Sequence, residues 1–133
     1  MSATATAGPS IELLLEINDA FNSRDVDRIM SFFADDATFL MARGPEACGR
    51  RVQGKVAIGK VLADRFKVIA SMRWDHIDHF VTGDRAVSVW TVTGKSADGE
   101  ALEYRGCDLY QFRGNKILHK DTYWKLVEHR DRL

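Results

Sequence analysis

The sequence is poor in the features that would mark it for a polyanion, a membrane or an oxidising compartment. It has no net charge, with 19 Lys and Arg against 19 Asp and Glu, so no long-range field gathers phosphates and a nucleic-acid role is not expected. No apolar run approaches the roughly 20 residues of a membrane-spanning helix. The opening Met1-Ser2-Ala3-Thr4-Ala5-Thr6-Ala7-Gly8-Pro9 lacks the basic and apolar regions of a secretory signal and reads as a disordered tail over 1–9. The two cysteines, Cys48 and Cys107, lie far apart in unrelated contexts. Without a secretion signal they point to a reduced cytoplasm. Neither has a matched histidine and acidic partner visible in sequence, so thiol catalysis has little support. Internal repeats and low-complexity core segments are absent as well.

What is present is enough for one domain. A chain of 133 residues buries about two-thirds of its unfolded surface and needs no metal or disulfide to hold it together. Ser10 is a candidate N-cap for a helix carrying Ile11, Leu14, Leu15, Asn18 and Phe21 at helical spacing. Asp25 caps a second, short helix with Ile29, Met30, Phe32 and Phe33 on its apolar side, and a brief strand is expected from Ala37 to Ala42. Residues 43–53, with Gly44, Pro45, Gly49 and several arginines, read as a loop. After Gly54, a third helix places Ile58, Val61, Leu62, Phe66 and Ile69 on one side. From Trp74 the pattern turns to β: strands over 74–81 and 85–95, a turn at Asp98-Gly99, then a hairpin from Glu103 to Trp124 closed at Gly114-Asn115. The plan is α+β, a curved antiparallel sheet with three helices on its concave face, in one domain over 10–128 and a frayed end over 129–133.

The hairpin carries most of the candidate chemistry. With a two-residue loop and unbroken alternation, one face collects Tyr104, Asp108, Tyr110, His119, Asp121 and Tyr123, and Asp108 faces Asp121. Such a carboxylate pair shares a proton and serves as general acid and base, with His119 as a second proton carrier. With a three-residue loop, Asp108 instead meets Lys120 as an ion pair. His76-Ile77-Asp78-His79 is not expected to chelate, because residues three apart on a regular strand point to opposite faces, and no metal is expected. Arg43, Arg50, Arg51 and Lys55 cluster around the loop before the third helix, either as a solvated surface or as a guide for an anionic ligand.

The order of elements, together with Phe33-Ala34-Asp35-Asp36-Ala37-Thr38, Gly106-Cys107-Asp108-Leu109-Tyr110-Gln111-Phe112 and Lys120-Asp121-Thr122-Tyr123-Trp124, resembles the nuclear transport factor 2-like superfamily. That superfamily includes ketosteroid isomerases, SnoaL-like cyclases and limonene epoxide hydrolases. The resemblance implies a cone-shaped fold, a pocket between the helices and the sheet, and a homodimer through the sheets. It puts Asp108 where ketosteroid isomerases hold a neutral oxyanion-hole aspartate. Where those enzymes carry their base and tyrosine, this chain has Phe39-Leu40-Met41-Ala42 and Ile17. Asp121 resembles the last-strand aspartate of the epoxide hydrolases, but Val87 stands at the aspartate of their Arg-x-Asp, which begins here at Arg85. Trp124 is a pocket aromatic by resemblance, although simple alternation puts it on the face opposite Asp121; a β-bulge reconciles the two.

Two functional classes follow. One is a cofactor-independent isomerase-, cyclase- or hydratase-type enzyme acting on a small apolar molecule. In it Asp108, Asp121 and His119 handle protons, and Phe39, Met41, Trp90, Tyr104, Tyr110, Tyr123 and Trp124 hold the ligand. The other is a binding or scaffold domain that uses the same cone without turnover.

Overall fold

The structure, a computed structural model, describes residues 8–128. Most of the expected tail, residues 1–7, and the expected frayed end, 129–133, lie outside the described residues. Helix α1 spans Ile11–Ser23; the Ser10 hydroxyl accepts from the Leu13 N–H at 3.1 Å, and Arg24, at φ 56°, ends the helix by donating to the Phe21 carbonyl. Leu14, Ile17, Ala20 and Phe21 form its buried stripe. Helix α2, Val26–Met30, is capped by Asp25.

Strand β1 runs over Phe33–Leu40, earlier than expected. Phe33 leaves the helix to pair with Ile117, and a bulge before Thr38 turns Asp35 and Asp36 into solvent. There Asp36 accepts two hydrogen bonds from Arg113, at 3.0 and 2.9 Å, which hold its carboxyl below the usual range. The loop expected at 43–53 contains a short strand, β2, Arg51–Gln53, paired with β1. Helix α3 follows over Lys55–Val68, and then β3 (Arg73–Thr82), β4 (Arg85–Lys95), β5 (Ala101–Arg113) and β6 (Lys116–Trp124). The strands form one six-stranded sheet in the order β2-β1-β6-β5-β4-β3, antiparallel except where β1 runs parallel to β6. The helices pack against the inner face, as the α+β plan requires. The core gathers Leu14, Phe21, Ile29, Phe33, Ile58, Phe112 and Ile117, with a second cluster around Met72, Trp90 and Val92.

Two further bulges redistribute the side chains of the sheet. The hairpin does close on the two residues Gly114 and Asn115, with Arg113 opposite Lys116 and Phe112 opposite Ile117, although only Gly114 takes a positive φ, 60°. Leu118 is then an extra residue, so Gln111 faces His119, Tyr110 faces Lys120, and Asp108 faces Thr122. Everything beyond the bulge changes face: Lys120, Thr122 and Trp124 turn inward, and His119, Asp121 and Tyr123 turn outward. Asp121 lies opposite Leu109, not Asp108.

In β3, Ile77 is skipped between the pairs His76–Trp90 and Asp78–Val89. His76 and His79 therefore share the inner face, contrary to the alternation expected from the sequence, and their rings stack at 4.8 Å between centroids. Asp78 is turned to the other face.

Candidate functional site

Asp108, at mid-strand in β5 and 5% exposed, is the centre of a buried polar cluster. Lys120 Nζ donates to its Oδ1 at 2.8 Å and the Thr122 hydroxyl donates to the same oxygen at 2.6 Å; Trp90 Nε1–H donates to Oδ2 at 2.9 Å and the Tyr110 hydroxyl approaches that oxygen at 3.4 Å. Every neighbour is a donor, so the carboxyl group serves throughout as an acceptor. This differs from the neutral oxyanion-hole donor implied by the resemblance: both oxygens are already committed, and a full positive charge stands beside one of them. Burial, together with the neighbouring carboxylate, pushes the Tyr110 hydroxyl well above its ordinary pKa and keeps it protonated.

Lys120 entered the sequence reading only as the ion-pair alternative for Asp108 through a three-residue loop; the pair forms, but the loop keeps two residues and the bulge at Leu118 makes the shift. The residue is 6% exposed, and its ammonium has two of its three protons committed, to Asp108 Oδ1 and Thr122 Oγ1. The head group also lies 4.6 Å from the Phe39 ring centroid and 5.4 Å from that of Phe21, a cation–π arrangement that offsets part of the cost of leaving water. No local signal marks Lys120 as an inside residue. Alternation puts it outside, and only the bulge at Leu118 brings it in.

Lys120 also forms part of the wall of an apolar cavity of about 60 Å³ between α3, α1 and the sheet, enough for a few waters. Phe21, Phe39, Val61, Leu62, Phe66, Trp90 and Trp124 supply its apolar lining, Thr122 a hydroxyl, and Met41, Arg43 and Arg65 stand around it on the loop and helix sides. A smaller polar recess of about 20 Å³ adjoins it, with Phe21, Trp74 and Lys120 common to both; it is lined by Asn18, His76, Ser88, Asp108 and Tyr110.

His76 brings an unused polar atom to that recess. Its Nδ1 is buried and without a hydrogen-bond partner, as is Nε2 of His79, whose Nδ1 is 2.9 Å from the Ser88 hydroxyl. Burial, and then the facing His79, lower the pKa of His76 to about 4, so both rings are neutral at pH 7. The pair makes stability depend on pH. Unfolded, His76 takes a proton near 6.5; folded, it resists until about 4, so the unfolded chain binds more protons between those limits and stability falls as pH falls through that window. Above it the effect vanishes. Allowing for the half-exposed ring, the loss is on the order of 1–2 kcal/mol. Asp36 and Asp98, whose pKa values are also lowered, act only below about 3.8. Urea unfolding at pH 7 and pH 4.5 checks this: His76→Gln should lose much of the difference, and an unchanged slope would place its origin elsewhere.

Of the residues singled out from the sequence, Phe39, Met41, Trp90 and Trp124 line the apolar cavity and Asp108 and Tyr110 the polar recess. Tyr104 stacks on Trp124 at 5.2 Å and supports the wall from behind. His119, Asp121 and Tyr123 are not brought to the cavity. Tyr123 is half exposed and donates to Asp121 Oδ2 at 3.2 Å on the outer face, a contact that raises its own pKa. Among the described residues no group of three or more His, Cys, Asp or Glu is placed to hold a metal ion.

A curled sheet wrapped around a small apolar chamber, closed by helices and floored by a few buried polar groups, defines the cone-fold class of small α+β domains. The chain belongs to the SnoaL-like domain family, which matches residues 14–120, within the nuclear transport factor 2-like superfamily. Among solved structures it is similar to a ketosteroid isomerase-like protein from Catenulispora acidiphila in complex with trimethylamine (18% identity, TM-score 0.76, 89% of this chain and 88% of that one). It is also similar to TerC co-crystallised with polyporic acid (23%, 0.72, 86% and 90%) and to a nuclear transport factor 2-like protein from Exiguobacterium (24%, 0.73, 86% and 99%). These likenesses concern the fold. No curated protein matches the sequence at a significant level.

Proposed function

We propose that this domain binds a small, mostly apolar molecule of about one ring in the cavity, with an accepting oxygen directed at Lys120. The observation that carries the reading is a buried ammonium, held by Asp108, in the wall of a mostly apolar chamber. The Asp108 carboxylate and the two phenyl rings fix the Lys120 head group, so its remaining N–H is presented to a ligand already oriented. A cavity of roughly 150 Å³ holds one benzene, so a single ring enters only as the lining side chains give, and a larger molecule does not fit.

Turnover is a second reading, and one observation favours it: the neutral His76, with a free Nδ1, lies across the recess from Lys120. A substrate reaching from the cavity into the recess would meet an electrophile and a proton acceptor, the pairing needed for cofactor-independent isomerisation or cyclisation. Relatives of the same fold crystallised with polyporic acid and with trimethylamine are consistent with a small-molecule role.

The test is acetophenone titrated against the tryptophan fluorescence of Trp90 and Trp124. Saturable quenching is expected, weakened roughly tenfold in Lys120→Met and lost when Val61→Trp fills the chamber. If acetophenone, indene and benzoate all fail to saturate, the pocket reading falls. Proton exchange at the acetophenone methyl group, followed by NMR in D2O, separates turnover from binding. A rate that disappears in His76→Gln supports the enzyme, and a rate equal to buffer leaves binding alone.

A homodimer through the outer sheet face is part of the same proposal. Phe80 and Tyr123 are 52% and 54% exposed there, beside half-buried Val87, Val89 and Leu109, an apolar surface that a second copy would cover. The free thiols Cys48 and Cys107 support a reducing, cytoplasmic setting. No helix among the described residues is long and apolar enough to cross a membrane.

A further inference from the structure

The charges around the cavity do not balance. Its ionisable lining residues are Arg43, Arg65 and Lys120, all cationic. The carboxylate that answers one of them, Asp108, lies in the adjoining recess and is committed to Lys120. Three positive charges against one negative leave an excess of two at this end of a chain whose net charge is zero.

The excess sits with the arginines. Among the described residues, neither Arg43 nor Arg65 has a carboxylate partner. Arg65, on α3, is half buried, with its guanidinium carbon 5.9 Å from the centroid of the Trp124 ring. A contact of this kind uses no N–H, and among the described residues the Arg65 guanidinium donates to no acceptor. Burial lowers the Arg65 pKa, and the charge of Arg43 lowers it further, so the two cations are close enough to repel each other. An unpaired, partly desolvated guanidinium beside a second one is costly unless an anion joins them.

We propose that the ligand is a carboxylic acid with a one-ring apolar body, whose carboxylate is held by Arg65 and Arg43 while the body extends along Phe66 and Trp124 toward Lys120. This deepens the pocket reading and rests on it. The carboxylate oxygens accept from the free guanidinium edge of Arg65, the geometry in which arginine binds carboxylate with two parallel hydrogen bonds. Arg43, exposed on the loop, closes the other side. Lys120, already neutralised by Asp108, is left for a neutral oxygen such as a ketone or an enol.

The experiment compares 3-phenylpropanoate with 3-phenylpropanamide, which share shape and size, by calorimetric titration of the intact chain at low and high salt. The carboxylate is expected to bind roughly tenfold to a hundredfold more tightly than the amide, with the difference shrinking as salt rises. Arg65→Gln should abolish the preference and leave amide binding in place; Lys60→Gln, the same charge change on the solvent side of α3, should leave it intact. If the amide binds as well as the carboxylate, the carboxylic-acid assignment is wrong and the pocket stands. If the preference survives Arg65→Gln, the arginine pair is not the anion site. If neither probe binds, this assignment and the pocket reading fall together.

Discussion

Replacing Asp108 with alanine will cost this protein about 3–5 kcal/mol of stability, because the change leaves Lys120 as a buried charge without a partner. Lys120 is 6% exposed and, among the described residues, its only carboxylate partner is Asp108 at 2.8 Å. Trp90 Nε1 and the Thr122 hydroxyl lose their acceptor in the same step. Asp108→Asn keeps the volume but puts an NH2 against donors on whichever side it faces, so it too will destabilise, by roughly 2–3 kcal/mol. The reverse deletion, Lys120→Met, is milder, since three uncharged donors still serve the carboxylate. Asp108→Leu combined with Lys120→Met should recover most of the loss of the single Asp108 changes, as replacement of a buried ion pair by apolar groups often does. Urea unfolding of the four variants measures this, with the midpoint of thermal unfolding for Asp108→Ala falling on the order of 10 °C. A cost below about 1 kcal/mol for Asp108→Ala would mean that Lys120 reaches water unaided, and the site would have to be redrawn as an open one.

Gly106→Ala should be nearly as damaging. A Cβ on Gly106 would lie 2.2 Å from the Tyr123 carbonyl oxygen, 2.8 Å from the Trp90 ring and 2.9 Å from Trp124 Cβ. The oxygen belongs to the backbone of β6 and cannot swing aside, so the strand itself must shift. We expect a loss of about 2–3 kcal/mol. The effect reaches the site as well. Trp90 is the residue whose ring passes over Gly106 and whose indole N–H holds Asp108 Oδ2, so moving the ring lengthens that bond and reshapes the cavity wall. Weakened acetophenone quenching together with the stability loss is therefore expected. A variant as stable as the parent, with unchanged quenching, would show that the strand spacing here is looser than the structure has it.

These effects converge on a cluster that sequence reasoning found only in part. Asp108 was legible because it sits in a strand whose alternation is unbroken from Tyr104 to Phe112, and Trp90 because it shares a face with Ala86 and Ser88 in a regular strand. Thr122 was not legible, and Lys120 was legible only as the alternative partner of Asp108, since a lysine between His119 and Asp121 has the appearance of a solvated edge. The same reasoning that placed Asp108 inside placed Asp121 and His119 inside with it, and one extra residue at Leu118 turned both outward. The offset at Ile77 had a matching consequence in β3, where it set His76 and His79 on one face. A bulge leaves no dependable trace in local sequence, because its cause is the fit of one strand against its neighbours. In β6 those neighbours are β5 on one side and the parallel strand β1 on the other.

By itself, the sequence determined the order of all the elements but the short β2: the caps at Ser10 and Asp25, the apolar stripe of α1, the turns at Asp98-Gly99 and Gly114-Asn115, and from these an α+β plan with the helices on one face of a curved sheet. Those are short-range matters of propensity, capping and periodicity, each contained within a few residues. Only the tertiary structure decided which polar groups share the interior. Asp108, Thr122 and Lys120 meet because β5 and β6 pair in a shifted register, and Arg65 reaches Trp124 because α3 crosses the sheet there. Side chains far apart in the chain are brought within 3 Å of each other by strand pairing and helix packing, and a change of one residue in that pairing exchanges the inside of the sheet for the outside.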